Sequence, residues 1–109
     1  MLNEAKKALR VTVSNFDSDI MDLLMAGAAD LEIAGVAVPG YISYTVSTAG
    51  AVTDTSEMAD PLVKRALITY AAMRFGNPPN YDKLLAAYET QKVQLMHAAR
   101  YTEYGGDGA

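Results

Sequence analysis

The sequence predicts an all-α fold: a small bundle of about four helices, a long loop or β-hairpin between the second and third, and an extended C-terminal tail. Three observations predict it. Apolar residues recur at steps of three and four in three stretches, which places each set on one face of a helix. Asp60-Pro61 and Gly76 bracket one of these stretches with start and stop signals. The run Asn77-Pro78-Pro79-Asn80 is too stiff for helix to continue, so the helices on either side become antiparallel neighbours. At 109 residues the chain fits a single domain. We read it as a helical unit over residues 1–100, with residues 39–57 as its insertion, followed by a tail over residues 101–109.

The first element is a short charged helix over residues 3–9, with Asn3 as its N-cap, followed by an extended connector at residues 10–14. Ser14 and Asp17 then form the S-x-x-D version of a capping box and open the second helix. Its stripe is Phe16, Ile20, Leu23, Leu24, Gly27, Leu31 and Ala34, and Gly35 is its stop. Pro39-Gly40 ends the helical pattern. Residues 41–55 are β-branched, carry no charge before Asp54, and turn at Ser47–Gly50. Two short strands around that turn make a hairpin, and a long surface loop is the rival. In the third helix Leu62, Val63, Ala66, Leu67, Tyr70, Ala71 and Phe75 share a face. Asn80 caps a fourth, with the stripe Tyr81, Leu84, Leu85, Tyr88, Leu95, Met96 and Ala99. The remaining YTEYGGDGA has no apolar period and reads as an extended tail.

Composition narrows the function. There is no cysteine, which excludes disulfides, thiolate metal sites and thiol nucleophiles. Nine basic against thirteen acidic residues give a net charge of -4, with an isoelectric point near 4.7. That balance argues against gripping nucleic acid through a basic face. The most apolar stretch, Ile20 to Val38, is interrupted by Asp22, Asp30 and Glu32, so neither a spanning helix nor a membrane partner is expected. No phosphate loop, dinucleotide fingerprint, zinc spacing or nucleophile elbow occurs, so no catalytic residue, metal ligand or cofactor is expected.

The residues that could carry chemistry have plainer explanations. Asp17, Asp19 and Asp22 lack the glycine and distal glutamate of a calcium loop, and a helix N-terminus favours carboxylates on its own. His97 is the single histidine, without the partners that a triad or metal site requires. The tyrosines are more informative. Tyr70, Tyr81 and Tyr88 lie on helical stripes and belong to the core. Tyr41, Tyr44, Tyr101 and Tyr104 lie outside the stripes, where a ring with one dry and one wet end suits a protein interface. The glycines at 105, 106 and 108 let the tail adapt to a partner's groove.

The order of elements resembles the head-completion adaptors, or head–tail connector proteins, of long-tailed bacteriophages. The resemblance rests on AKKALRV (Ala5–Val11), DSDIMDLLMAGAA (Asp17–Ala29), DPLVKRALITYAAMRFGN (Asp60–Asn77) and the Leu84, Leu85, Tyr88 core of the fourth helix. It covers about three quarters of the chain and is a likeness of helix pattern and order, without a chemical signature. It departs from that pattern in the longer, more β-like 39–56 segment and in the glycine-rich tail.

The resemblance implies a structural virion protein at the head–tail interface, present in the host cytoplasm during assembly. It implies a homo-oligomeric ring, commonly of twelve, beneath the portal protein. Such a ring extends the DNA channel and offers a platform to the stopper or tail-completion protein. It implies portal docking through Arg100, Tyr101, Glu103 and Tyr104. Contact with a neighbour or the stopper would fall on Tyr41, Tyr44, Thr45 and Val46. A ring of such acidic chains would let genomic DNA slide through without specific binding. Lys6, Lys7, Lys64 and Arg65 would then pair with acidic neighbouring subunits. Two other classes are weighed against this one. A helical DNA-binding or regulatory module would draw on Lys64, Arg65 and Arg74, and salt-sensitive duplex binding would favour it. A small metal-dependent enzyme would draw on the aspartates, and metal-dependent stability lost on Asp19→Ala would favour that.

Overall fold

A computed structural model describes residues 1–76 and 78–98. These residues form helices α1 (Leu2–Leu9), α2 (Asp17–Ile33), α3 (Pro61–Arg74) and α4 (Tyr81–His97). Four short strands lie between α2 and α3: β1 (Gly40–Tyr41), β2 (Tyr44–Val46), β3 (Val52–Asp54) and β4 (Glu57–Met58). The all-α expectation is therefore corrected. Four helices with two small antiparallel two-stranded sheets make a mixed α/β domain. The physical cause is the uncharged β-branched run itself, which pairs across a turn and so satisfies its own backbone.

The two sheets are one hairpin arm in two pieces. Tyr44 stands opposite Asp54 and Val46 opposite Val52 in one; Gly40 stands opposite Met58 and Tyr41 opposite Glu57 in the other. The register is the same in both, with no residue gained or lost between them. At the break the Thr55 amide still donates to the Ser43 carbonyl at 2.9 Å, and side chains reinforce the ladder. Ser56 Oγ accepts from the Ser43 amide at 3.1 Å and donates to the Ser43 carbonyl at 3.2 Å, while the Ser43 and Thr55 hydroxyls lie 2.7 Å apart. At the tip, the Gly50 amide closes the turn on the Ser47 carbonyl at 2.9 Å.

The core is shared by all four helices and the base of the arm. Ile20, Met21, Leu24 and Leu31 of α2 face Val63, Ala66, Leu67 and Ala71 of α3. Tyr88 and Leu95 of α4, Leu2 and Ala5 of α1, and Ile42 and Met58 of the arm close it. Burying each large aliphatic contributes roughly 1.5–3 kcal/mol. Helices α2 and α3 run antiparallel: Phe16 meets Phe75 edge-on at 5.4 Å, and an added Cβ on Gly27 would lie 3.1 Å from the Tyr70 ring. Three members of the predicted helical stripes stay outside: Leu62 is 43%, Tyr81 39% and Met96 37% exposed. Phe16 precedes α2 and is 44% exposed, while Met21, Ala28 and Val36 are buried without having been on the predicted stripe.

Helix ends separate local from distant control. Asp60 Oδ1 accepts from the Leu62 and Val63 amides at 3.0 and 3.2 Å, with Pro61 in the first turn, as the sequence predicts. Gly35 is also the stop expected. Its φ of +93° lets its amide bond the Glu32 carbonyl and the Val36 amide bond the Leu31 carbonyl, with Val36 and Leu31 both buried. The other predicted caps do not form. Ser14 and Asn80 supply no side-chain cap; the Asp17 carboxylate is instead buried against Lys6 Nζ at 2.8 Å. Asn3 lies within α1. Asp54, from β3, caps that helix by accepting from the Leu2 amide at 2.9 Å, and it receives the Met1 ammonium at 2.9 Å.

Burial opposes ionisation of Asp54. Hydrogen bonds from Ser56, the Leu2 amide and the Met1 ammonium outweigh it and hold this carboxyl far below the usual value of 3.8. A carboxyl with a depressed folded-state pKa adds stability above its unfolded pKa and loses it as pH falls through the folded one. The Asp54→Asn variant is thus expected to be less stable by about 1 kcal/mol at pH 7, after solvent screening. The difference should narrow below about pH 4, as measured by urea unfolding at several pH values.

Candidate functional site

The hairpin arm lies along the outward side of α2. Tyr44 is half-buried, and its hydroxyl donates to Asp22 Oδ1 at 2.7 Å. That bond to the carboxylate, more than desolvation, raises the phenol above its usual range. It also fixes the arm against the helix. With the arm so held, Tyr41 is 53% and Val46 55% exposed, and Thr45 is exposed opposite Thr53. Three of the four residues expected to meet a neighbour are therefore presented outward, and Tyr44 positions them. The portal-docking candidates Arg100, Tyr101, Glu103 and Tyr104 lie outside the described residues, as does Ala99.

Between α2 and the base of the arm runs an open groove of about 350 Å³, lined by Met25, Ala29, Glu32, Ile33, Tyr41 and Ile42. Ile33 is 86% exposed, the largest exposure among the large hydrophobics of the described residues. Sequence reasoning missed this surface because Met25 and Ile33 fall off the stripe that faces the core. A second concavity of about 530 Å³ lies where α2 begins and α3 ends, lined by Phe16, Asp19, Asp22, Leu23, Arg74 and Phe75. Arg74 stacks on the Tyr70 ring at 5.1 Å. Asp19 and Asp22 thus share a cleft with an arginine, but His97 does not join them. It closes α4, about 24 Å of helix from Tyr81. Among the described residues, no three of His, Cys, Asp and Glu converge as a metal site would require.

The basic residues divide. Lys6 is taken by Asp17 at 2.8 Å and Lys64 by Glu4 at 2.8 Å, so these two are not offered to a neighbour. This corrects half of the expected set; Lys7 and Arg65 make no ion pair among the described residues. Tyr88 and Lys92 form an internal network with Asp30: the Tyr88 hydroxyl donates to Asp30 Oδ2, and Lys92 Nζ stands 3.5 Å from it. Burial first, then this bond, pushes the Tyr88 phenol far above its usual range, so the ring works here as a structural donor.

Charge is segregated along the chain in a way legible from the sequence. Residues 11–63 hold eight carboxylates and no lysine or arginine. Every basic side chain belongs to residues 6–10 or 64–100. In the fold this gives α2 and the arm one sign, and leaves the cations on α1, α3, α4 and the residues that follow.

The site as built is a set of contact surfaces around a closed core. No helix among the described residues is long and apolar enough to cross a membrane. The family model described as phage connector protein matches residues 1–102. No curated protein and no solved structure matches the chain.

Proposed function

Since the chain belongs to the phage connector family, whose members are structural parts of the virion's head–tail junction, we propose that it is the adaptor of that junction. Copies close into a ring, commonly of twelve, beneath the portal protein, extend the DNA channel and seat the stopper or tail-completion protein. Association with other head and tail components follows from the family; these particular partners are our reading. The chain is made and kept in the host cytoplasm until assembly, and it performs no catalysis. Genomic DNA passes its acidic surface without specific binding.

The observation that carries this reading is the arm. A hairpin with Tyr41 and Val46 more than half exposed, braced on α2 by Tyr44 and Asp22, is a contact element set on a closed core. The tail, through Arg100, Tyr101, Glu103 and Tyr104, docks on the portal. Deleting residues 101–109 should abolish binding to purified portal protein while leaving helical circular dichroism and the melting temperature unchanged. A truncated chain that unfolds, or that still binds, contradicts the assignment. The free chain at micromolar concentration should scatter light as a monomer or a loose assembly, because subunits that polymerise ahead of their template would be lost to assembly. Stable large rings of the free protein would count against a templated adaptor.

A further inference from the structure

A closed ring needs two different surfaces on each copy, one fitting the other around the circle. The groove between α2 and the arm is one candidate surface. Its floor is Met25, Ala29 and Ile33, and its rim carries Glu32, with Glu57 paired opposite Tyr41. Glu32 and Glu57 make no ion pair among the described residues, and no cation in residues 11–63 answers them. The complementary surface is on the same chain. Leu62 is 43% exposed at the start of α3, and one turn on stands Arg65, exposed and beside Gln94 of α4 in a shallow recess.

The antiparallel packing of α2 and α3 puts the last turn of α2 level with the first turn of α3. Ile33 and Leu62 therefore sit at one height, the first between α2 and the arm, the second between α3 and α4. Repeating a contact between surfaces at one height, about an axis along the helices, closes a circle; an offset in height would build a helical filament. Charge selects the occupant. An apolar patch with a cation fits an apolar groove with an acidic rim, and each copy carries both.

On the ring reading above, we infer that the α2–arm groove of one copy is filled by the Leu62–Arg65 surface of the next copy. Leu62 enters beside Ile33, and Arg65 faces Glu32. The contact is heterologous, so its two sides are chemically different, and opposite charge fixes its register.

The absence of cysteine makes thiols clean reporters. Particles assembled with Ile33→Cys, with Leu62→Cys and with both are oxidised mildly and run without reductant. The double variant should give a ladder of covalent dimers and higher multimers, at least about tenfold above either single variant, because a disulfide requires Cα atoms within about 7 Å. Dimers from Ile33→Cys by itself would mean a two-fold contact and overturn the inference. So would a double variant without a ladder. Charge reversal gives an independent readout. Glu32→Lys and Arg65→Glu should each lower the copies incorporated per particle about tenfold, and the two combined should restore them. A combination no better than either single overturns the pairing. Double-variant particles that carry the chain at the junction without this cross-link refute only the surface assignment. Particles that lack the chain there refute the ring itself.

Discussion

Replacing Gly40 with alanine is expected to destabilise the domain by about 3 kcal/mol and to lower its melting temperature by roughly 10–20 °C. Gly40 has φ +149°, a region that side chains rarely adopt, and an added Cβ would lie 2.1 Å from the Glu57 carbonyl oxygen. That oxygen is backbone in the paired strand, so relief requires β1 and β4 to part. Parting them would unseat Met58 and Ile42 from the core and remove one wall of the groove on α2. Gly35→Ala is the control. It has a φ of +93° but nothing within 4 Å of the added Cβ, so it should cost only about 1 kcal/mol, the conformational penalty by itself. Thermal unfolding of the two variants compares them directly. If Gly40→Ala were as stable as Gly35→Ala, the close approach of β1 and β4 would be refuted.

Truncating Tyr88 is the second large effect: Tyr88→Ala should cost about 4 kcal/mol, and Tyr88→Phe about 1–2 kcal/mol. The ring is 2% exposed and meets the Tyr70 ring edge-on at 5.3 Å. Lys92 Nζ lies 5.3 Å from its centroid. Its hydroxyl ties α4 to Asp30 of α2, a helix that otherwise packs mainly on α3. Alanine empties the space and cuts the tie; phenylalanine keeps the packing and loses the donor. Lys92 remains beside Asp30 and limits the second penalty. Urea unfolding of both variants, with Asp30→Asn completing a double-mutant cycle, separates the two contributions. Coupling near zero between Tyr88→Phe and Asp30→Asn would contradict the tie.

These two residues also mark what the sequence could and could not convey. Tyr88 was legible as core from its place beside Leu84 and Leu85 at helical spacing; its partner Asp30, fifty-eight residues away, was not. The same division holds elsewhere. Asp60-Pro61 and Gly35 act within a few residues of themselves, and local chemistry predicts them. Asn3 satisfies the same local rules as an N-cap but lies inside α1, because Asp54 reaches the Leu2 amide from the hairpin. Lys6 and Lys64, open to a neighbour on paper, are answered by Asp17 and Glu4 across tertiary contacts. The fold class failed for a related reason. Residues 41–55 satisfied the pattern for a hairpin and for a loop alike. The choice depended on pairing across the chain and on the Ser43–Ser56 bonds that carry the register through its break. The one large-scale feature readable throughout was the separation of carboxylates in residues 11–63 from the cations on either side. It requires no contact to be known.

This connector is proposed to work as a ring of identical copies around the DNA path. Electron cryomicroscopy of the head–tail junction in intact particles tests it most directly. The expected density is a closed ring beneath the portal, each copy placing its hairpin arm and α2 against α3 of the next. A junction without copies of the chain, or with copies that do not touch one another, would contradict it.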